Sequence, residues 1–334
     1  MGQLKVDVII GMQHGDEGKG KVTHHLLRKG KYTHCVRYNG GCNAGHTIYH
    51  NGEKFVTHHI PAGVFFGIKS IIDPGCAVSI HKFFDELKML REGGIDLYEK
   101  VFIAKNAHII RGKHLEADAQ ESRLGTTRTG NGPSYADKYA REGRRAEDYT
   151  ILEPYLIDMY EEFHLLDEPA TVLCEGAQGV ELDIDWGDYP YVTSSHCTTA
   201  GACLNGFPPQ SIRNVIGVAK AYETYVGSKD FQPKNEVFNT LQEVGQEFGA
   251  TTGRVRQCNW INLPQLEKAV KLNGVTNLIF NKLDVLEDVG AWSVYVDMER
   301  HNLFTFQNRQ QFCEYITDYF SNTDVIFSAS PEKI

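Results

Sequence analysis

The chain has 334 residues, of which 41% are hydrophobic and 23% are charged, and 43 acidic residues against 34 basic ones give a net charge of -9. This acidity opposes non-specific binding to duplex nucleic acid, and no apolar run approaches the roughly 18 residues that span a bilayer. The chain enters a strand-like stretch at once, without a signal peptide. We therefore expect a cytoplasmic protein that has neither a nucleic acid nor a membrane as partner.

Short apolar runs rich in β-branched residues recur along the chain and are typical of buried strands. They occupy residues 6–10, 101–103, 172–174, 215–218, 278–280 and 325–327. Helical periodicity lies between some of them, as at residues 81–91. The alternation predicts an α/β fold with a mostly parallel central sheet and flanking helices. No linker or repeat divides the chain, so a single domain over residues 1–334 is expected.

The strongest local signal is the glycine-rich segment at residues 11–21, directly after the first predicted strand. Its glycines let backbone N–H groups turn toward an anion, and the following helix presents its positive end beside Lys19 and Lys21. The spacing matches the G-x-x-x-x-G-K pattern of a P-loop, but Val22 stands where a P-loop has the Ser or Thr that holds magnesium. Asp16 could supply that ligand. The segment predicts a P-loop-like phosphate loop after strand 1.

The small-residue loop at residues 39–47 follows, with amide groups suited to a nucleotide and His46 as a candidate acid. A lone histidine is more often structural, so both interpretations stay open for it. Residues 46–56 predict a β-hairpin, because Asn51-Gly52 forms a two-residue turn.

Three later segments carry candidate binding residues. Asn281-Lys282-Leu283-Asp284 has the N-K-x-D form of a guanine reader, in which a carboxylate accepts from the ring N–H and the exocyclic amine of the base together. Arg254 and Arg256 lie beside Thr251 and Thr252 and suit bidentate binding of carboxylates. Residues 135–141 place cations at i and i+3 of a predicted helix, which suits a phosphate and a solvated surface equally.

At these residues the sequence resembles the adenylosuccinate synthetases. Their loop Q-W-G-D-E-G-K-G appears at residues 13–20 with His14 in place of Trp, and N-A-G-H-T appears at residues 43–47. Further matches are E-G-A-Q-G at 175–179, Y-P-Y-V-T-S-S at 189–195, F-G-A-T-T-G-R at 248–254 and K-L-D-V-L at 282–286. So many matches in the family's order exclude chance.

The resemblance implies a ligase that transfers the γ-phosphoryl group of GTP, rather than ATP, to the 6-oxygen of a purine nucleotide, after which L-aspartate displaces the phosphate. It implies that Asp16 is the base that takes the N1 proton, that His46 is the acid, and that Gln178 holds the 6-oxyanion. Asp16 and the backbone of Gly45 would ligate Mg²⁺. A homodimer is implied, because Arg141 matches an arginine that reaches the substrate phosphate in the partner subunit.

The same resemblance assigns the binding residues. The residues implied for GTP are Gly15, Glu17, Gly18, Lys19, Gly20, Lys21, Lys282, Asp284, Ser328 and Ser330. Those implied for the purine nucleotide are Asn43, Thr127, Arg141, Gln178, Thr193 and Val226, and those for aspartate are Thr251, Thr252, Arg254 and Arg256.

Departures from the family pattern cluster around the acceptor nucleotide and aspartate, at residues 125–130 and 224–234. Ser330 also replaces a glycine near the donor base. This distribution favours a changed acceptor, as in a phage branch of the family that aminates dGMP on the way to 2-aminoadenine, although most of that branch lacks the equivalent of Asp16. We therefore expect dGMP as the acceptor, in host cytoplasm, with IMP in AMP synthesis as the alternative. A non-ligating guanine-nucleotide switch and a carboxylate-phosphate ligase with another acceptor are the alternatives of other classes.

Overall fold

The computed structural model describes residues 4–165, 168–249, 253–330 and 334. Its largest element is a nine-stranded sheet in which every neighbouring pair is parallel. In spatial order the strands are β10 (Leu156–Ile157), β8 (Val101–Ala104), β6 (Lys69–Ile72), β2 (His34–Arg37), β11 (Ala170–Glu175), β1 (Leu4–Gly11), β12 (Ile212–Lys220), β16 (Asn277–Asn281) and β19 (Asp324–Phe327). The predicted α/β class and parallel sheet are confirmed.

The sheet is buried on both faces, which explains the continuous apolar runs of its strands. Side chains alternate between the two faces: Val6, Val8 and Ile10 of β1 pack into one hydrophobic core, and Ile9 packs into the other. All six predicted strands occur in this sheet, at β1, β8, β11, β12, β16 and β19.

Helices connect the strands and begin where the local sequence favours them. The predicted helix at residues 81–91 is present, and the Ser79 hydroxyl caps it by accepting from the Lys82 N–H. The helices are α1 (Lys19–Arg28), α2 (Ile80–Glu92), α3 (Gly112–Gln120), α4 (Asn131–Ala140), α5 (Thr199–Leu204), α6 (Glu236–Val244), α7 (Leu263–Asn273), α8 (Leu283–Val289) and α9 (Arg309–Tyr319). None of the helices in the described ranges is long and apolar enough to cross a membrane.

Smaller sheets lie around the central one. The predicted hairpin forms from β4 (His46–His50) and β5 (Glu53–Thr57), and Asn51-Gly52 is its turn with positive φ at both residues. The other strands are β3 (Gly40–Gly41) with β7 (Cys76–Val78) and β9 (His108–Ile109), β13 (Glu223–Tyr225) with β14 (Gln257–Asn259), and β15 (Ile261–Asn262) with β17 (Trp292–Tyr295) and β18 (Leu303–Phe306).

One local prediction was wrong. Lys138 and Arg141 do not share a helical face, because α4 ends at Ala140 and Arg141 adopts the left-handed conformation with φ 65°. The Arg141 N–H closes the last turn on the Lys138 carbonyl, so the arginine side chain leaves the helix at its C-terminal end.

Candidate active site

Polar side chains stand at the carboxyl ends of the two strands on either side of β1 in the central sheet. Arg37 ends β2, Glu175 ends β11, Lys220 ends β12 and Asn281 ends β16, and each is almost completely buried. Parallel α/β sheets bind ligands at this edge. A buried charged side chain needs a partner, so the strand ends anchor the loops of a site.

The phosphate loop follows β1 and is shaped by a buried carboxylate. Glu17 accepts from the N–H groups of Gln13 and Gly15 at 3.2 and 2.8 Å and from Lys19 Nζ at 2.6 Å. The Asn281 side-chain amide donates to the Glu17 carbonyl at 2.7 Å. The side chain of Glu17 thus closes the loop from within, and the ammonium group of Lys19 is paired with it.

Left-handed backbone at Gly15 (φ 89°), Asp16 (φ 59°) and Gly18 (φ 94°) turns the loop into α1, which begins at Lys19. Lys21 donates to the Ser328 hydroxyl at 2.8 Å and to the Ser330 carbonyl at 2.9 Å. Burial lowers the pKa of Lys21 to about 8. An anion bound at this helix N-terminus would favour the charged form of that lysine.

The loop opens into a cleft of about 690 Å³, a volume typical of ligand sites. Most of the residues assigned from sequence line it: Gly15, Asp16, Glu17, Gly18, Lys19, Gly20, Lys21, Asn43, Gly45, His46, Thr127, Gln178, Thr193, Val226, Arg254, Arg256, Lys282, Asp284 and Ser330. Ser328 is buried behind the wall, where it contacts Lys21. Arg141 is exposed and outside this lining. Thr251 and Thr252 lie outside the described residues.

Asp16 faces the cleft with about a third of its side chain exposed, and its Oδ2 lies 2.7 Å from Arg256 Nε. The other side of that guanidinium reaches Glu247, where Nη1 donates to Oε2 at 2.6 Å. Arg254 Nη1 donates to the Gly125 carbonyl at 2.8 Å. Two arginine side chains from one loop thus line the cleft.

His46 belongs to a buried cluster with Glu175 and Arg37. Its Nδ1 is hydrogen-bonded to Glu175 Oε1, and its Nε2 lies 2.9 Å from Arg37 Nη1. Burial lowers the pKa of His46 to about 4, and the Arg37 charge acts in the same direction. Because arginine can only donate, Nε2 accepts and Nδ1 carries the proton. His46 is neutral here, so donating a proton from Nε2 requires that this nitrogen first take up a proton and that Arg37 move away from it.

Glu175 stays ionised in this cluster. Burial alone would raise its pKa, but Arg37 and His46 outweigh burial and hold the pKa at about 2. Its Oε2 also accepts from the Ala62 N–H at 3.0 Å. The carboxylate therefore fixes the orientation and tautomer of His46, a role that the position of the residue in E-G-A-Q-G does not reveal.

Amide side chains also line the cleft. Asn43 Oδ1 accepts from Gln178 Nε2 at 3.0 Å and from Asn131 Nδ2 at 2.6 Å, while Asn43 Nδ2 lies 3.5 Å from the Thr193 hydroxyl. Thr127 shares a 2.9 Å hydrogen bond with Thr129. Such a network offers both donors and acceptors to a heterocyclic base.

The N-K-x-D segment lies at the end of β16 and the start of α8. Asn281 is used to hold the phosphate loop, and Lys282, with φ 68°, donates to the Gly245 carbonyl at 2.8 Å. Asp284 lies in the first turn of α8 and lines the cleft. The segment therefore brings one carboxylate to the cleft, while its asparagine contacts the phosphate loop.

The sequence analysis assigned no role to four buried charged residues beside the cleft: Arg37, Glu175, Lys220 and Glu247. Three of them are the last residues of parallel strands, which is a usable signal once the strands are predicted. Glu247 carried no such signal, because it lies outside any strand or helix, after the turn that follows α6.

A model of the adenylosuccinate synthetase family matches residues 8–151 and 149–316. The adenylosuccinate synthetase of Chlorobium limicola is 40% identical over 84% of this chain and 76% of its own length. The fully ligated adenylosuccinate synthetase from Plasmodium falciparum is similar with a TM-score of 0.88 at 26% identity, covering 99% of this chain and 98% of that one. The cyanophage S-2L succinoaminodeoxyadenylate synthetase, bound to dGMP and dATP, has a TM-score of 0.76 at 19% identity over 98% and 93% of the two chains, a likeness of fold alone.

Proposed function

Because this chain belongs to the adenylosuccinate synthetase family, it is a GTP-dependent ligase that joins L-aspartate to a purine nucleotide, and we propose that its acceptor is IMP. One observation carries the assignment of the reaction centre. The Asp16 carboxylate contacts Arg256 at 2.7 Å inside a cleft that Gln178 and His46 also line. A base, a carboxylate-binding arginine and an amide donor therefore face one space.

The roles follow from this arrangement. Asp16 takes the N1 proton of the purine, which makes the 6-oxygen a better nucleophile toward the γ-phosphoryl group. Gln178 donates to the oxyanion that forms, and Arg254 and Arg256 bind the carboxylates of L-aspartate. The phosphate loop with Lys21 holds the phosphates of GTP. Arg141, exposed at the end of α4, reaches the substrate phosphate of a second copy in a homodimer.

The residues of the cleft fit the magnesium ion that accompanies GTP in this family. Asp16 presents a carboxylate to the cleft, and Gly45 lines it nearby; oxygen is the ligand type that Mg²⁺ prefers. Asp16 and the Gly45 carbonyl would hold the ion, which when bound supplies positive charge to the transferring phosphoryl group.

The comparisons favour IMP over the dGMP that the sequence departures predict. Relatives that are 40% identical are adenylosuccinate synthetases by name, whereas the cyanophage enzyme, at 19% identity, resembles this chain in fold alone. The retention of Asp16 supports the same acceptor, since most of the phage branch that aminates dGMP lacks the equivalent residue. The phage assignment and 2-aminoadenine synthesis therefore have less support than AMP synthesis.

The first prediction concerns the acceptor. Purified protein with Mg²⁺, GTP and L-aspartate should form the succinyl nucleotide and GDP with IMP at a kcat/KM higher than with GMP or dGMP. Product formation followed by chromatography in three parallel reactions measures it. Turnover restricted to dGMP would instead support dGMP as the acceptor, as in the phage branch. GTP hydrolysis that needs no aspartate would indicate a switch, and turnover with no purine present would indicate a different ligase.

The second prediction concerns the donor base. Asp284→Asn replaces one acceptor oxygen with a donor that faces the donors of guanine, so kcat/KM for GTP should fall about tenfold to a hundredfold. The value for ATP should change less, because adenine lacks the donor pair. Asp288→Asn on the same helix is the matched control, since Asp288 is exposed and outside the cleft lining. An equal loss for both nucleotides would contradict the role of Asp284 as a base reader.

A further inference from the structure

We propose that Glu247 is a positioning residue for Arg256. Its carboxylate anchors the aspartate-binding loop to the central sheet at the active site. The inference rests on the proposed function, because it assumes that Arg256 binds L-aspartate. It adds a residue that is outside the cleft lining and does not belong to the assigned binding set.

Glu247 is completely buried and is held by several donors. Arg256 Nη1 donates to Oε2 at 2.6 Å, and Lys220 Nζ lies 3.1 Å from Oε1 and 3.0 Å from Oε2. The Tyr222 hydroxyl donates to Oε1. We call these four residues, Lys220, Tyr222, Glu247 and Arg256, the Glu247 cluster. Because Lys220 ends a central strand, the cluster ties Arg256 to the rigid sheet.

The backbone places Glu247 at the base of the loop. The Arg256 N–H donates to the Glu247 carbonyl at 2.9 Å, and Phe248 and Val255 form the next antiparallel bridge. Farther along, the Gly249 N–H donates to the Arg254 carbonyl at 2.8 Å. The loop therefore begins at Glu247 and ends at Arg256, and the ion pair between these two side chains fixes the direction in which the guanidinium group points.

That direction matters for the reaction centre. With Nη1 on Glu247, the Nε edge of Arg256 lies 2.7 Å from Asp16 Oδ2. A guanidinium group is planar, so fixing one edge sets the orientation of the whole fork. Without Glu247 the guanidinium would be free to turn entirely toward Asp16 and lose the pose that suits a substrate carboxylate.

The electrostatics of the cluster support a fixed ion pair. Burial by itself would raise the pKa of Glu247, but Lys220 and Arg256 outweigh it and hold the pKa at about 2. The carboxylate is therefore ionised throughout the neutral range. Cations outnumber anions in this neighbourhood, since Lys220, Arg256 and Lys282 face Glu247 and Asp16, and the excess positive charge suits an anionic substrate.

The cluster also touches the donor side of the cleft. Lys282 Nζ lies 3.8 Å from Glu247 Oε1 and donates to the Gly245 carbonyl at 2.8 Å. The segment before the loop is therefore held from the N-K-x-D segment as well as from the sheet. This contact is longer and partly exposed, so the effect of Glu247 on GTP should be smaller than its effect on aspartate.

The test is Glu247→Gln in the full chain, which keeps the shape of the side chain and removes its charge. The KM for L-aspartate should rise about tenfold to a hundredfold, because a charge-assisted hydrogen bond to Arg256 is lost. The KM for the purine acceptor should stay within about twofold of wild type. Glu86→Gln is the matched control, since Glu86 is a buried glutamate that accepts from backbone N–H groups outside this cleft, and its aspartate KM should equal that of wild type.

A double-mutant cycle with Arg256→Ala separates positioning from a general structural role. If Glu247 acts through Arg256, the aspartate KM of the double variant equals that of Arg256→Ala alone. Effects that simply multiply would overturn the proposal. If Glu247→Gln folds poorly because the Lys220 ammonium is left unpaired, Glu247→Gln combined with Lys220→Met removes both charges and should still show the raised aspartate KM.

The outcome for Glu247 is distinguishable from the outcome for the proposed function. Wild-type protein that does not consume GTP with aspartate and a purine nucleotide would refute the function. An active wild type whose Glu247→Gln variant keeps the wild-type aspartate KM would refute only the positioning role.

Discussion

Replacing Asp16 with asparagine should reduce kcat by about a thousandfold or more while GTP still binds. General-base removal alone typically costs about a hundredfold to ten-thousandfold, and asparagine also offers magnesium a weaker ligand than a carboxylate. The loop itself should persist, because its shape depends on Glu17 and Asn281, which contact each other across the loop. Turnover with IMP and calorimetric titration with a non-hydrolysable GTP analogue measure the two effects separately.

Asp7→Asn is the matched control for this variant. Asp7 also forms an aspartate–arginine pair, with Arg213 at 2.7 Å, but it lies in the middle of β1 and outside the cleft lining. The control should lose stability and retain kcat. Wild-type turnover in Asp16→Asn would remove the residue from the mechanism, and a parallel loss of GTP binding would reassign it to nucleotide binding.

Periodicity predicts much of the central sheet because its strands are buried on both faces. Residues 8–10 and 278–280 are continuous apolar runs for that reason, and they lie in β1 and β16, respectively. The same pattern does not predict strand β2. It is only His34–Arg37, with a polar residue at each end, and its pairing with β11 and β6 is what makes it a strand.

The candidate site, like the sheet, is predicted from the sequence only in part. Motif spacing predicts which residues reach the cleft, since glycines and strand ends set the backbone locally. It does not predict the partners of charged side chains. The pairing of Lys19 with Glu17 at 2.6 Å and the hydrogen bond from the Asn281 side chain to the Glu17 carbonyl are not visible in the motifs.

Pairings between distant segments account for the rest. Glu247 and Asp16 share Arg256 only because β1, β12 and the loop after α6 meet in space. His46 likewise reads as a candidate acid in sequence, yet its proton sits on Nδ1 because Glu175 and Arg37 approach from β11 and β2. Tautomer and charge state depend on such tertiary neighbours, and no local pattern encodes them.

Glu175→Gln should therefore affect both stability and activity. Arg37 is 1% exposed, and a buried charge that loses its partner typically costs about 3–5 kcal/mol, so the free energy of unfolding at pH 7 should fall by that amount. The Glu175 carboxylate also favours the protonated form of His46 by raising its pKa against the effect of burial, so glutamine would disfavour the imidazolium that can donate from Nε2. We expect kcat to fall about a hundredfold or more, since acid catalysis contributes a factor of this size.

The effect on stability should depend on pH with a definite sign. The pKa of Glu175 is about 2 in the folded protein and about 4.3 in an unfolded chain, so its ion pairs stabilise the fold fully above the higher value. The unfolded state takes up the proton first as the pH falls, and the stabilisation is lost toward pH 2. Urea unfolding of wild type and variant should be measured from pH 7 downward. The difference between their free energies of unfolding should be constant at first and should shrink below about pH 4.

Glu162→Gln provides the matched comparison. Glu162 also pairs with a histidine and a cation, His34 and Lys69. The His34 hydrogen bond and the Lys69 contact lower its pKa to about 2. Unlike Glu175, it has no neighbour among the reacting groups, because neither partner lines the cleft. Its loss should cost less stability, because Lys69 is partly exposed and solvent replaces its partner, and kcat should not change. If the two variants lowered kcat equally, the Glu175 effect would reflect general destabilisation, and the orientation of His46 by Glu175 would have no part in catalysis.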